Sequence, residues 1–394
     1  MNMQSSIWVL YLAYCGLHLA QIGLLEGIYH ATSIVCEIPS GAAADLWGRK
    51  RCMILSNLCI AVSCVIMLFS KSFGWFAVSF AVQALGNNLN SGSEEALVYD
   101  SMKCLGQEEH YMGVYGRLNV LIEVAQGLAT VAGGVLAEFS YFWCYAACVV
   151  IAVLALLPVL GMAEPPQCSK AADTAGGSAK DAPAEGTPAQ RTIWETVKHH
   201  FAVSACILQK DARIGKIIGF YSVVFAAHTL LFFYSQQYFA DFGYNKVQIS
   251  VIMLLVGGAS CFGALASEKM YRRFGKRCLI PETVIIAAAI LCYGSGKAGV
   301  AAAALMCAGF ANAALYPIQS DSLNALIPSE QRATLISVDS MCFSIAMIVL
   351  FPLAGAFADR WGLKTVLLLL GAILLLFLLA AFCIEKESFS SDHS

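Results

Sequence analysis

Apolar residues run in long stretches separated by short polar clusters, and the lengths of those stretches set the architecture. A helix needs about 20 apolar residues to cross a hydrocarbon layer. Runs of that kind predict helices near 21–44, 52–70, 75–102, 112–137 and 141–162. After a break they predict further helices near 213–239, 247–270, 278–296, 299–326, 333–357 and 363–384, eleven full spans in all. An additional apolar stub, Ile7 to Cys15, is too short to span. The break, Ala163 to Gln190, is rich in Ala, Gly, Pro and Ser and reads as a flexible linker. Thr192 to Leu208 could form a short interfacial helix before the next span.

Composition agrees with that pattern. The 394 residues are 59% hydrophobic and 13% charged, with a mean hydropathy of +0.69. Soluble domains carry about 25% charged residues, so the expected class is an all-α polytopic membrane protein. A net charge of −2 offers no basic field for nucleic acid. The 16 cysteines include no C-x-x-C pair, and most lie inside apolar runs as small buried residues, which argues against a metal or redox centre.

The chain repeats itself across the linker. Gly16 to Ile22 resembles Gly243 to Ile249 at an offset of 227, and Gly41-Ala42 resembles Gly263-Ala264. Gly48 to Cys52 resembles Gly275 to Cys278 with one residue missing. At an offset of 221, Asp100 pairs with Asp321, Glu109 with Glu330, and Ala137-Glu138 with Ala358-Asp359. Helix order is kept, as in two parallel copies related by an axis along the membrane normal. The division expected is a first half over 1–162, a linker over 163–212, a second half over 213–384 and a tail over 385–394. By the offset of 227, the partner of the helix beginning near Ala212 would start about fifteen residues before Met1, so the first helix is expected to be truncated, an uncleaved signal peptide being the alternative for the stub.

Cations set the orientation, because Lys and Arg are retained on the cytoplasmic side. With Arg49, Lys50 and Arg51 inside, nineteen of the 24 Lys and Arg fall on that side, leaving Lys71, Lys246, Lys297, Arg360 and Lys364 outside. Linker and C-terminus are therefore expected in the cytoplasm, and the protein in the plasma (inner) membrane.

The segment Gly41-Ala-Ala-Ala-Asp45-Leu-Trp-Gly48-Arg49-Lys50-Arg51 ends one helix in small residues and opens the next with three cations. Small residues let a neighbouring helix approach closely. Asp45 could meet the positive N-terminus of another helix or pair with the adjacent cations, and the run could equally be a solvated topogenic cluster. Asp100 is a candidate partner for the cations. The spacing G-x-x-x-D-x-x-G-R-K-R resembles the loop between the second and third helices of major facilitator superfamily transporters. That resemblance implies twelve nominal helices in two six-helix halves, with the motif latching the halves together on the cytoplasmic side. The second copy keeps Gly263, Gly275, Lys276 and Arg277 but has Ser267-Glu268 in place of the simple aspartate spacing, so it is degenerate.

Charge at membrane depth is costly and usually functional. Glu123 falls mid-span, Glu37 lies within the second helix, and the fourth carries Asn87, Asn90 and Glu94. Glu37, Glu94 or Glu123 could take up and release protons, or could hydrogen-bond a neighbouring helix. His228 could titrate near neutral pH or be satisfied by a neighbour. Glu26, Glu138, Asp321 and Asp339 lie nearer span ends, where a structural role is expected. Tyr221, Phe225, Phe232, Phe233, Tyr234 and Tyr238, with Tyr29 and Tyr316, could wall a cavity for lipophilic compounds or anchor helix ends.

The stretches Glu37 to Gly41 and Ser91 to Asp100 resemble bacterial drug exporters of the same superfamily. Helix 4 here nevertheless lacks the arginine of the drug/proton antiporter branch, and helix 5 keeps Gly133-Gly134 without the Gly-Pro. The function implied is proton-coupled efflux of a small lipophilic molecule by a monomer driven by the proton gradient, without cofactor. Import of a small metabolite and a non-transporting receptor or assembly role are the alternatives. No G-x-S-x-G, H-E-x-x-H or phosphate-binding motif suggests an enzyme.

Overall fold

A computed structural model describes residues 3–91, 93–162, 212–275, 279–324 and 332–391. The expected linker and interfacial helix lie outside the described residues, as do Lys276 and Arg277. All regular structure among the described residues is helical. In chain order the α-helices are α1 Trp8–Tyr14, α2 Leu19–Trp47, α3 Arg49–Phe69, α4 Phe73–Asn90 and α5 Ser93–Cys104. They continue with α6 Tyr111–Phe139, α7 Tyr141–Gly161, α8 Ala212–Asp241, α9 Lys246–Phe274 and α10 Leu279–Cys292. The last three are α11 Ala298–Asn324, α12 Arg332–Trp361 and α13 Leu363–Ser391.

Seven of these are long and apolar enough to cross a membrane: α3, α6, α7, α8, α9, α11 and α12, over the described part of each. Leu279–Ser295 and Leu363–Leu379 are apolar but shorter. The protein is a multi-pass membrane protein. Two corrections to the expected spans have local causes. The span near 75–102 is broken into α4 and α5, because Ser91 leaves the helix at ψ 125° beside Gly92. The last helix runs to Ser391 instead of ending near 384, since no Gly or Pro follows Gly371 before the helix ends and Glu and Lys favour helix.

The repeat survives in backbone detail. Gly16 and Gly243 have φ of +88° and +83°, and Gly48 and Gly275 have +92° and +58°, conformations that favour glycine. After the first pair, the turn into the next helix is bonded alike. His18 N donates to Gln21 Oε1 at 3.1 Å, and Asn245 N donates to Gln248 Oε1 at 3.0 Å. In the second copy Asn245 Oδ1 also accepts from Gln248 N at 2.8 Å, which completes a capping box.

Packing divides the chain into two compact units, and the division crosses the repeat boundary. One comprises 32–126 and 146–207; the other comprises 2–31, 127–145 and 208–394. In the first unit α3 lies close on α4, where Gly86 faces Ser56 O and Ser63 Oγ bonds Ser79 Oγ at 3.0 Å. Met53, Leu97 and Val159 form a buried cluster there. In the second unit the backbones of α9 and α11 approach closely at Gly263, against Phe310, and at Gly309, against Val256. Helix α10 meets α13 where Gly371 lies against Leu291, and Gly294 in the turn just after α10 lies against Leu368. The stub, α1, is buried from Trp8 to Leu12, and Gln236 of α8 bonds the preceding Ser5 carbonyl at 2.9 Å.

Candidate functional site

Residues four apart lie one above the other on a helix face. Glu26 and His30 use that spacing on α2, with Glu26 Oε1 3.6 Å from His30 Nε2 and both side chains 10% exposed. The other ring nitrogen, Nδ1, lies 3.2 Å from Ser344 Oγ of α12. The imidazole is enclosed edge-on by Tyr29 at 5.4 Å and Phe343 at 5.5 Å between ring centroids. Glu26 lies about 10 Å along α2 from its first residue, at 1.5 Å per residue. A buried carboxylate, imidazole and hydroxyl in line can hold and pass one proton. No other buried acid–base pair of this kind occurs among the described residues.

Several expected residues lie elsewhere. Glu37 is half-buried on α2, and its carbonyl accepts from Ser40 Oγ at 2.9 Å. On α4, Asn87 is exposed, Asn88 Nδ2 donates to Ser33 Oγ at 2.9 Å, and Asn90 Nδ2 donates to Glu94 Oε2 at 3.2 Å across the break. Glu123 sits on an exposed face of α6 beside Val120, Leu121, Ile122 and Val124. His228 is half-buried on α8 and its Nε2 is buried without a hydrogen-bond partner. The structure thus joins Asn90 to Glu94, and Glu26 to His30 and Ser344. His30 was not singled out in the sequence, and Glu26 was expected to be structural. The four-residue spacing of an acid and a histidine within an apolar run was the available signal.

The basic motif is ordered around its cations. Arg49 forms an ion pair with Asp100, and Lys50 Nζ donates to the Leu160 carbonyl at 2.9 Å. Arg51 is exposed, and the Asp45 side chain lies outside the described side chains. The close approach expected at Gly41 is not present, since no described atom lies within 4 Å of where its Cβ would be; the close approach occurs at the copy, Gly263. The Arg49 and Asp100 side chains are 27% and 38% exposed, so water screens the pair. Asp100→Asn is expected to cost less than about 1 kcal/mol, read as the thermal midpoint of the detergent-solubilised protein. A loss of several kcal/mol would show that the pair is a structural clamp.

Tyr234 and Tyr238 of α8 pack between helices. Tyr234 donates to Phe351 O at 3.1 Å, and Tyr238 donates to Tyr293 O at 2.8 Å. Tyr316, 59% exposed, leans on Phe225 at 5.9 Å. A cavity of about 410 Å³ is bordered by Tyr14, Glu138, Tyr141, Gln237, Tyr244 and Lys246. There the Lys246 ammonium stands 4.7 Å from the Tyr141 ring centroid.

Comparisons with known proteins agree on one family. The Major Facilitator Superfamily model matches residues 1–295 and 283–392. An uncharacterized MFS-type transporter of Bacillus subtilis, YxaM, is 21% identical over 385 residues, covering 95% of this chain and 90% of its own. Among solved structures, the nucleoside transporter NupG superposes with a TM-score of 0.75 at 13% identity, covering 97% of this chain and 96% of that one. A D-xylose-proton symporter superposes with a TM-score of 0.68 at 14% identity, covering 96% and 92%. At such identities the structural likeness speaks for the fold.

Proposed function

The chain belongs to the major facilitator superfamily of transporters and is not an enzyme, and from that premise we propose that it is a proton-coupled carrier of a small organic molecule. Transport proceeds by alternating access between the two sequence repeats, driven by the proton gradient, in the plasma membrane with the Arg49–Arg51 end in the cytoplasm. Glu26 and His30 carry the coupling proton. The observation that supports this is their burial together, bonded onward to Ser344, since burying an ionisable pair without a task is costly. The motif at Gly48 to Arg51 and the pair Asn90–Glu94 then belong to the gating and cargo-facing parts of the first repeat.

Symport is the favoured direction, because a proton symporter is among the proteins of like fold. Efflux of a lipophilic compound is the second reading, and one observation favours it: Tyr316 presents an exposed ring beside Phe225. Intact cells overexpressing the full chain separate the two. Uridine, D-xylose, dialanine and ethidium serve as probes, each measured with and without a protonophore. Symport predicts accumulation of one of the first three above control cells, lost when the gradient is collapsed. Ethidium exclusion lost with the protonophore would establish efflux instead. Movement unaffected by the protonophore would end the proton-coupled reading. No movement of any probe, with one membrane protein co-purifying in stoichiometric amount, would favour a receptor or assembly role.

A further inference from the structure

The first amides of a helix lack partners within the helix and carry its positive end. At α2 two of them, Leu19 N and Ala20 N, donate to the Asp359 carboxylate of α12, at 3.0 Å to Oδ1 and 2.9 Å to Oδ2. At α9 the Lys246 N donates to Glu138 Oε2 of α6 at 3.0 Å. These two contacts are copies of each other. Leu19 and Lys246 are 227 residues apart, Glu138 and Asp359 221, and both are offsets of the internal repeat. The acid of each repeat therefore sits on a helix start of the other.

One turn before each acid stands a glycine, again 221 residues apart. A Cβ on Gly355 would come within 2.6 Å of the Leu19 carbonyl carbon, and one on Gly134 within 2.9 Å of Lys246 O. Each glycine lets its helix lie directly on the foreign helix start, which brings the acid four residues later onto the amides. Neither helix needs a foreign acid to begin. Gln21 already accepts from His18 N, and Asn245 with Gln248 forms a complete capping box. Local residues take His18 N at one start and Asn245 N and Gln248 N at the other, while the foreign acids take Leu19 N, Ala20 N and Lys246 N. The contacts serve as ties between helices of different repeats and do not merely terminate them.

We propose that Glu138 and Asp359 are paired positioning residues of the transport cycle, which hold shut the face of the protein remote from the Gly41–Arg51 motif and release together when that face opens. Helix α2 begins at Leu19 and ends at the motif, and α9 begins at Lys246 and ends at its second copy. Both ties therefore lie at the far end of helices about 40 Å long. Water can solvate a carboxylate and a helix start separately, so the ties break and re-form readily at the helix ends. A reversible closure requires that property. The proposal depends on alternating access and not on the proton pair or the cargo.

Hydrogen–deuterium exchange of the purified full-length protein tests it without a ligand. Asp359→Ala is expected to speed exchange about tenfold, the worth of one charge-assisted hydrogen bond, at Leu19 and Ala20 and also at 246–249. Glu138→Ala is expected to do the same at both places, and Asp359→Glu to restore protection at both. A simple local cap would change exchange at its own helix start alone, and that result overturns the proposal. Should the acid variants fold poorly, Lys246→Pro keeps both acids and a favoured first helical residue while deleting one donor. It must then speed exchange at Leu19 and Ala20; unchanged protection there likewise overturns the proposal.

Discussion

Replacing Glu26 by glutamine is expected to abolish uphill transport while leaving downhill movement of the same probe in place. Glutamine keeps the length of the side chain and can still face His30, so the helix contacts of α2 persist. What it loses is the ability to ionise, and without that no proton is carried per cycle. One pH unit of gradient is worth about 1.4 kcal/mol per proton, which supports about tenfold accumulation of a carried solute. In proteoliposomes with such a gradient, wild type should approach that ratio, and Glu26→Gln should stop at equal concentrations inside and out. Exchange of labelled for unlabelled probe across the same membrane checks that the variant still cycles. His30→Gln should slow accumulation without lowering its ceiling, if the imidazole relays a proton that Glu26 holds. A Glu26→Gln protein that accumulates probe as wild type does would remove the pair from the coupling mechanism.

The second large effect concerns packing. Gly263→Val is expected to destabilise the protein by about 3 kcal/mol or more, because the new side chain has no room. Its Cβ would lie 3.0 Å from Phe310 Cα and 2.9 Å from the Phe310 carbonyl carbon. Those are backbone atoms of α11, which cannot turn aside as a side chain can, so the two helices would have to separate. Close backbone approach through small residues is a main source of helix association in membranes, so separation forfeits contacts along the whole crossing. Gly41→Val is the matched control, since its site is open, and it should change stability by no more than about 0.5 kcal/mol. The readout is the temperature at which each purified variant loses its monodisperse peak in detergent. Equal losses at the two positions would refute the assignment of close packing to the second copy.

That contrast shows how far the repeat could be read as a sequence. Matching Gly41 with Gly263 implied one role for both, yet a helix crossing needs two partners, and only one partner is written at each position. The turn glycines behaved differently. Gly16, Gly48, Gly243 and Gly275 carry a backbone requirement of their own, so their pairing in sequence passed directly into paired positive φ angles. Helix positions were legible for the same reason, because a span of apolar residues is a local property. The break between α4 and α5 was missed because hydrophobicity counts do not register a local turn at Ser91.

Among the acids, the sequence alone ranked by depth, and depth singled out Glu123, which proves exposed on α6. Glu26 ranked low by its place near a span end, although its partner His30 stood one turn away in plain view. Ser344 lies 314 residues from His30, and no spacing rule connects them. By itself the sequence determined the membrane class, the helices, the duplicated architecture and the family, all carried by short-range patterns or direct repetition. The tertiary structure alone decided which partners meet across helices: Ser344 with the Glu26–His30 pair, and Glu138 and Asp359 on each other's repeats. The bonds to Ser344, to Leu19 and Ala20, and to Lys246 each join residues from different helices, and side-chain partnership between helices is settled by how they pack.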